Sequence, residues 1–218
     1  MQQQIDAVNS WLVHGKVISV NHESEIENLR TVFKDVEFRD TERTAKPKFA
    51  KHYIYVDQLI DVGLTFDKPV MIINSDIEIT EDKKLIEIIK QYDGKACVYL
   101  HRWDYTTDKT KAKIYREGVD AILIPKQKAN NIPSSLFFLG ATHWDIWYPF
   151  AFYATSMPLV SITSKPVIYH KEHTFQYSSE QWSKLGKHCA WLMGQPDISA
   201  AQASERCYRI LRSATNFL

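Results

Sequence analysis

Two carboxylates one residue apart, Asp76 and Glu78, follow the apolar run Pro69-Val70-Met71-Ile72-Ile73. With Ile77 between them, the acids are in phase along an extended or turning backbone, so both can face one hard cation. Oxygen donors of that kind suit manganese or magnesium. The same pair also fits two solvated acids in a turn. His170 and His173 follow another apolar run, where imidazole can complete a metal shell or bond a phosphate oxygen. Arg43, Lys46 and Lys48 crowd one short segment, able to neutralise a diphosphate or simply to be solvated. Arg102 stands just past the apolar residues 97–100 as a candidate phosphate or acceptor contact. Asn21, after Ile18-Ser19-Val20, offers donor and acceptor groups to a base edge or hydroxyl. Its competing role is to cap the helix that follows.

These side chains need strand ends to hold them. A continuous apolar run such as 70–73 is buried on both faces, which predicts a central strand of a mostly parallel sheet. In such sheets ligands gather beyond the carboxyl ends of the strands, where Asp76 and Glu78 stand. Further strands are expected at 16–20, 36–38, 97–100, 119–124, 137–139 and 167–169. Ser24-Glu25-Ile26-Glu27 is a capping-box pattern that opens a helix with Ile26, Leu29, Val32 and Phe33 on one face. Helical spacing also predicts helices over 51–64, 81–92, 180–193 and 199–212, and one beginning near Trp144. Strands and helices alternate early and shorter mixed elements follow, so the expected class is α/β: a central mostly parallel mixed sheet flanked by helices.

Composition narrows the function classes. The 218 residues suit one domain, 1–218, with an apolar share of 44% and a charged share of 24%, both ordinary for a globular protein. A formal charge of +1 gives no bias toward nucleic acid or an anionic membrane. Cys97, Cys189 and Cys207 lack metal-binding spacing and are expected as reduced core residues. The apolar stretch 11–20 is broken by His14, Gly15 and Lys16. It is too short for a membrane span or signal peptide, so a cytoplasmic site of action is expected.

The strand 70–73 followed by Asn74-Ser75-Asp76-Ile77-Glu78 resembles the acidic Asp-x-Asp motif of GT-A-fold glycosyltransferases, with Glu in the second acidic place. Four further stretches resemble small glycosyltransferase-like domains of viruses and bacteria, among them chlorella-virus domains that glycosylate capsid protein. They are Ile18-Ser19-Val20-Asn21, Gly118-Val119-Asp120-Ala121, residues 140–149, and residues 170–186 with their His-x-x-His and Ser-x-Glu-x-Trp patterns. The resemblance spans most of the chain in the expected order. It implies a GT-A-like nucleotide-sugar-binding fold whose half 1–100 holds the nucleotide and whose half 101–218 faces the acceptor. It also implies transfer of a hexose or deoxyhexose from a UDP-sugar to a hydroxyl of a glycan or glycoprotein, in the host cytoplasm if the chain is viral.

On that reading Asp76, Glu78 and His170 hold manganese or magnesium. Asn21, Arg43, Lys48, Asp76, Arg102, Trp144 and His173 contact the nucleotide-sugar. An inverting transferase needs a base for the acceptor hydroxyl, and Asp145, shielded by Trp144 and Trp147, is the candidate because desolvation raises a carboxyl pKa. The competing roles are a helix N-terminal acid for Asp145 and core packing for the tryptophans. A sugar-phosphate nucleotidyltransferase would share the layout, but Val20-Asn21-His22-Glu23-Ser24 lacks the glycine-rich phosphate loop. A noncatalytic nucleotide-sugar or glycan-binding module, as one domain of a larger polypeptide, is the remaining alternative.

Overall fold

The computed structural model describes residues 1–49, 51–80, 83–125, 132–173, 178–214 and 216–217. In chain order the elements are α1 (Gln2–Leu12), β1 (Ile18–Asn21), α2 (Glu23–Val32), β2 (Glu37–Asp40), α3 (Lys46–Phe49) and α4 (Val56–Leu64). Then come β3 (Val70–Ile73), β4 (Ile77–Ile79), α5 (Lys84–Tyr92), β5 (Cys97–Leu100), β6 (Arg102–Tyr105), β7 (Lys113–Ile114) and β8 (Ala121–Ile124). The chain ends with α6 (Trp144–Ala154), β9 (Leu159–Ile162), β10 (Ile168–Lys171), α7 (Ser179–Leu192), α8 (Ala200–Ala214) and β11 (Asn216–Phe217). The start expected for the fifth helix, at Glu81, lies outside the described residues.

Among the described residues the strands form three sheets, ordered β1-β2, β4-β10-β6-β7 and β11-β9-β5-β8-β3. Pairing is parallel for β1 with β2, β6 with β10, β5 with β9 and β9 with β11. It is antiparallel for β4 with β10, β6 with β7, β3 with β8 and β5 with β8. The architecture is therefore α/β with mixed sheets flanked by helices, and parallel pairs do not predominate as expected. Nor is β3 central: among the described residues it is the edge of the five-stranded sheet, with β8 as its one partner. Of its residues Ile72 is buried and Val70, Met71 and Ile73 are half-buried, and an apolar run says nothing about whether both edges are paired.

Alternation within the five-stranded sheet sends successive side chains to two cores. Cys97, Tyr99, Ile122, Ile124 and Leu159 join the core built with α4, α6, α7 and α8. Val98, Leu100, Ala121, Leu123, Val160 and Ile162 join the other, shared with β4, α5 and Ile168 of β10. Helix α6 is apolar nearly all round, with Trp144, Trp147, Tyr148 and Phe152 buried, as a helix sunk in the core must be. Residues 137–139 supply one isolated bridge, Tyr55 to Phe138, instead of the expected strand.

Helix α1, which the apolar pattern does not announce, covers the outer edge of β4. Trp11 Nε1 donates to the Ile77 carbonyl (2.7 Å), the Ile79 amide donates to Ser10 Oγ (2.9 Å), and His14 Nε2 bonds the Thr80 carbonyl (2.9 Å). Polar side chains thus occupy backbone groups that an exposed edge would leave to water or to another chain.

Candidate functional site

The residues after β3 do not remain extended. The Ile77 amide donates to the Asn74 carbonyl (3.2 Å), forming a turn that places Asp76 just before β4. Strand β10 runs antiparallel to β4 with His170 opposite Ile77, and parallel to β6 with His170 opposite Asp104. Period-two alternation therefore puts His170, Arg102 and Asp104 on one face, and Glu78, Tyr169 and Tyr105 on the other.

This alternation assembles a three-residue group. Asp76 Oδ2 lies 3.0 Å from His173 Nε2 and 3.6 Å from His170 Nε2. One possible ligand atom from each residue falls within a common 4.8 Å. Donors bound to one ion at about 2.1 Å sit roughly 3.0 to 3.4 Å apart, so a divalent cation fits here with small adjustment. Burial pushes Asp76 toward the neutral acid, but hydrogen bonds from His170 and His173 outweigh it and hold the carboxyl down at about 2. Burial likewise disfavours the charged form of His170, yet Asp104 and Asp76 reverse this and raise it to about 9. The negative charge that draws these protons is the charge that would draw a metal.

His170 carries the support expected of a metal-binding histidine. Its Nδ1 bonds Asp104 Oδ1 at 3.0 Å, which leaves Nε2 directed at Asp76. Asp104 Oδ1 also accepts from Arg102 Nε at 2.8 Å. Arg102 Nη1 reaches Asp120 at 3.1 and 3.3 Å, and its guanidinium lies 4.2 Å from the Tyr115 ring centre.

Glu78 is not part of this group. Its carboxylate accepts from Tyr105 Oη and from Lys109 Nζ, both at 2.5 Å, on the opposite face of the sheet. Alternation along β4 puts it on the face away from His170, while the turn before β4 carries Asp76 out of that phase; the spacing alone allowed one shared ion. Lys109 also lies 5.5 Å from the ring centres of Tyr105 and Tyr169.

Asp76, His170 and His173 open on a cavity of about 2290 Å³ that is also lined by Asn21, Arg102 and Asp145. Asp145 lies in the first turn of α6, with its carboxylate against Gly118. A Cβ on that glycine would come within 2.6 Å of Asp145 Oδ2. Burial, followed by the negative charge of Asp120, pushes the Asp145 carboxyl up to about 7. Its own amide, that of Val119 and the Arg102 charge pull the other way without prevailing. The expected elevation is present, and its cause is general burial together with Asp120.

Two expected contacts lie away from the cavity, and a third is largely enclosed. Trp144 is only 1% exposed within the main core, although it borders the cavity. Trp147 is equally enclosed, because a helix apolar on all sides packs its aromatics inward. Arg43 is tied to Asp57 (3.0 Å) and stacked 4.6 Å from the Tyr55 ring centre, and neither it nor the exposed Lys48 lines the cavity. The basic side chains that do line it include Lys16, Lys51, Lys68 and Arg116.

The network of Asn74, Asp104 and Asp120 was not read from the sequence. The signal available was the alternation Arg102-Trp103-Asp104, legible once 102–105 is known to be a strand. His143 is a second such residue. It begins α6 with a left-handed φ of 75° and bonds Thr142 (2.9 Å) and Ser204 (3.0 Å). Burial lowers it to about 4. Gly186 makes this possible: a Cβ there would press on Ala200 and lie 2.8 Å from His143 Nε2.

Comparison with protein-family models and with curated proteins finds no match. Among the described residues, no helix is long and apolar enough to cross a membrane.

Proposed function

We propose that this chain is a metal-dependent glycosyltransferase, moving a hexose or deoxyhexose from a UDP-sugar to a hydroxyl of a glycan or glycoprotein. The observation that carries the reading is the Asp76, His170 and His173 group, which opens on the same cavity as Asp145. Two imidazoles and one carboxylate suit manganese better than magnesium, which prefers an all-oxygen shell and sheds water reluctantly. A divalent ion bound there supplies positive charge where a departing diphosphate develops its negative charge.

The chain's own residues divide the remaining work. Asp145, with its carboxyl near 7, accepts the proton of the attacking acceptor hydroxyl, consistent with inversion at the sugar carbon. Asn21, at the end of β1, offers its amide to the base or ribose from the cavity wall. His173, the more exposed histidine, can hold the ion or a phosphate oxygen. The cavity is larger than the 300 to 1,000 Å³ or so typical of a single small ligand, leaving space for donor and acceptor together.

The test is calorimetry of UDP-sugars with and without Mn2+, followed by an assay for released UDP. Manganese-dependent release that is lost in Asp76→Ala supports the reading. Binding without turnover on any acceptor replaces it with a noncatalytic nucleotide-sugar module. In Asp145→Asn, turnover is expected to fall with donor binding retained; loss of donor binding would make Asp145 a ligand contact instead of a base.

A further inference from the structure

Arg102 is a cation beside the cavity, yet its guanidinium is already committed. The side chain is 15% exposed, with Nε on Asp104 and Nη1 on both oxygens of Asp120. Each of those carboxylates leads to a different arm of the metal group. Asp104 accepts from His170 Nδ1 and so orients the imidazole. Asp120 Oδ1 accepts from Asn74 Nδ2 at 2.9 Å, and the Asn74 amide donates to the Asp120 carbonyl at 3.0 Å. Asn74 in turn closes the turn that carries Asp76.

We infer that Arg102 is a positioning residue of the metal centre, joining the strand that bears His170 to the turn that bears Asp76, with Asp104 and Asp120 as its two intermediates. The inference rests on the metal-site reading above. A guanidinium suits this place because its planar fork bonds two carboxylates in fixed directions, which a lysine ammonium does not reproduce. The Tyr115 ring below it restricts the plane further. Register supplies the rest: β6 presents Arg102 and Asp104 on one face, and β10 sets His170 opposite Asp104. An anion met at Nη2 leaves both carboxylates in place, so anion contact by itself does not undo this network. A positioning Arg102 keeps both while substrate comes and goes.

The experiment compares the full chain with Arg102→Lys and Asp104→Leu. Mn2+ affinity is read by electron paramagnetic resonance, folding by thermal melting, and the His170 imidazole N–H by proton–nitrogen spectra of metal-free protein. Loss of an outer partner of a metal-binding histidine typically weakens metal binding about 10- to 100-fold, and that range is expected for both variants. The His170 Nδ1–H resonance, protected from exchange in the parent chain, is expected to broaden or vanish in each. Removing one partner of a buried ion network is strongly destabilising, so Arg102→Lys can fail to fold. Asp104→Leu, close in shape but with no acceptor for the His170 Nδ1–H, then carries the test of the His170 arm.

Folded variants that bind Mn2+ within about twofold of the parent and keep the His170 resonance overturn the inference. A parent chain that binds neither Mn2+ nor Zn2+ sinks the metal reading instead. In that case, a resonance lost on substitution still establishes that Arg102 and Asp104 orient His170, and a retained one refutes it.

Discussion

A carboxyl held near 7 makes a prediction about stability that is independent of any substrate. Asp145 begins from 3.8 and rises to about 7 in the folded chain, chiefly through burial and the nearby Asp120. Between those values the unfolded chain has released the proton and the folded chain has kept it. The folded state binds more protons, so stability falls as pH rises through this window and is level above about 7. Each pH unit costs about 1.4 kcal/mol. From pH 5 to 7 the loss attributable to this one group is about 2.7 kcal/mol, an upper value because the folded carboxyl is itself about half ionised at pH 7.

Asn at this position is neutral at every pH and escapes the loss. Urea unfolding of the parent and Asp145→Asn, in half-unit steps from pH 5 to 8.5, should show the variant gaining on the parent up to about pH 7. The difference should then hold constant. Carboxylates common to both proteins cancel in this comparison. In thermal melts the gain should appear as roughly 5 to 11 °C for a chain of this size. A stability difference that is flat across the whole range would refute the elevation and, with it, the ground for choosing Asp145 as base.

Turnover should follow the same group: kcat/KM is expected to rise about tenfold per pH unit up to about 7 and then level, losing this limb in Asp145→Asn. Asp76→Ala should abolish Mn2+ binding, measured by calorimetry, while circular dichroism stays unchanged, because its side chain contacts the ion group and not the core. Glu78→Gln should leave Mn2+ affinity within about twofold of the parent, since this side chain lies on the opposite face of the sheet with Tyr105 and Lys109. Phe152→Ala, which empties a fully buried position on α6, should lower urea stability by about 3 to 5 kcal/mol.

Periodicity and apolar runs in the sequence sufficed for the α/β class and for most helices, including those led by Trp144 and by residues 180 and 199. They also sufficed for strand ends near Asn21, Asp76 and His170, because burial of a face is a local property of side-chain order. Asp145 was legible as an acid set among aromatics, and its elevation agrees. Pairing was not legible. That β3 is an edge strand, that β10 lies between β4 and β6, and that parallel and antiparallel pairs are balanced all depend on partners distant in the chain. Those same partners assemble the candidate metal group. The spacing of Asp76 and Glu78 admitted one shared cation, but register with β10 keeps Glu78 on the opposite face, while the turn before β4 takes Asp76 out of the strand's phase to meet His170 and His173. Arg102 likewise read as a phosphate or acceptor contact, and only the fold brings Asp104 and Asp120 to it. Local sequence thus named side chains able to do this chemistry, and long-range strand register decided which of them can act together.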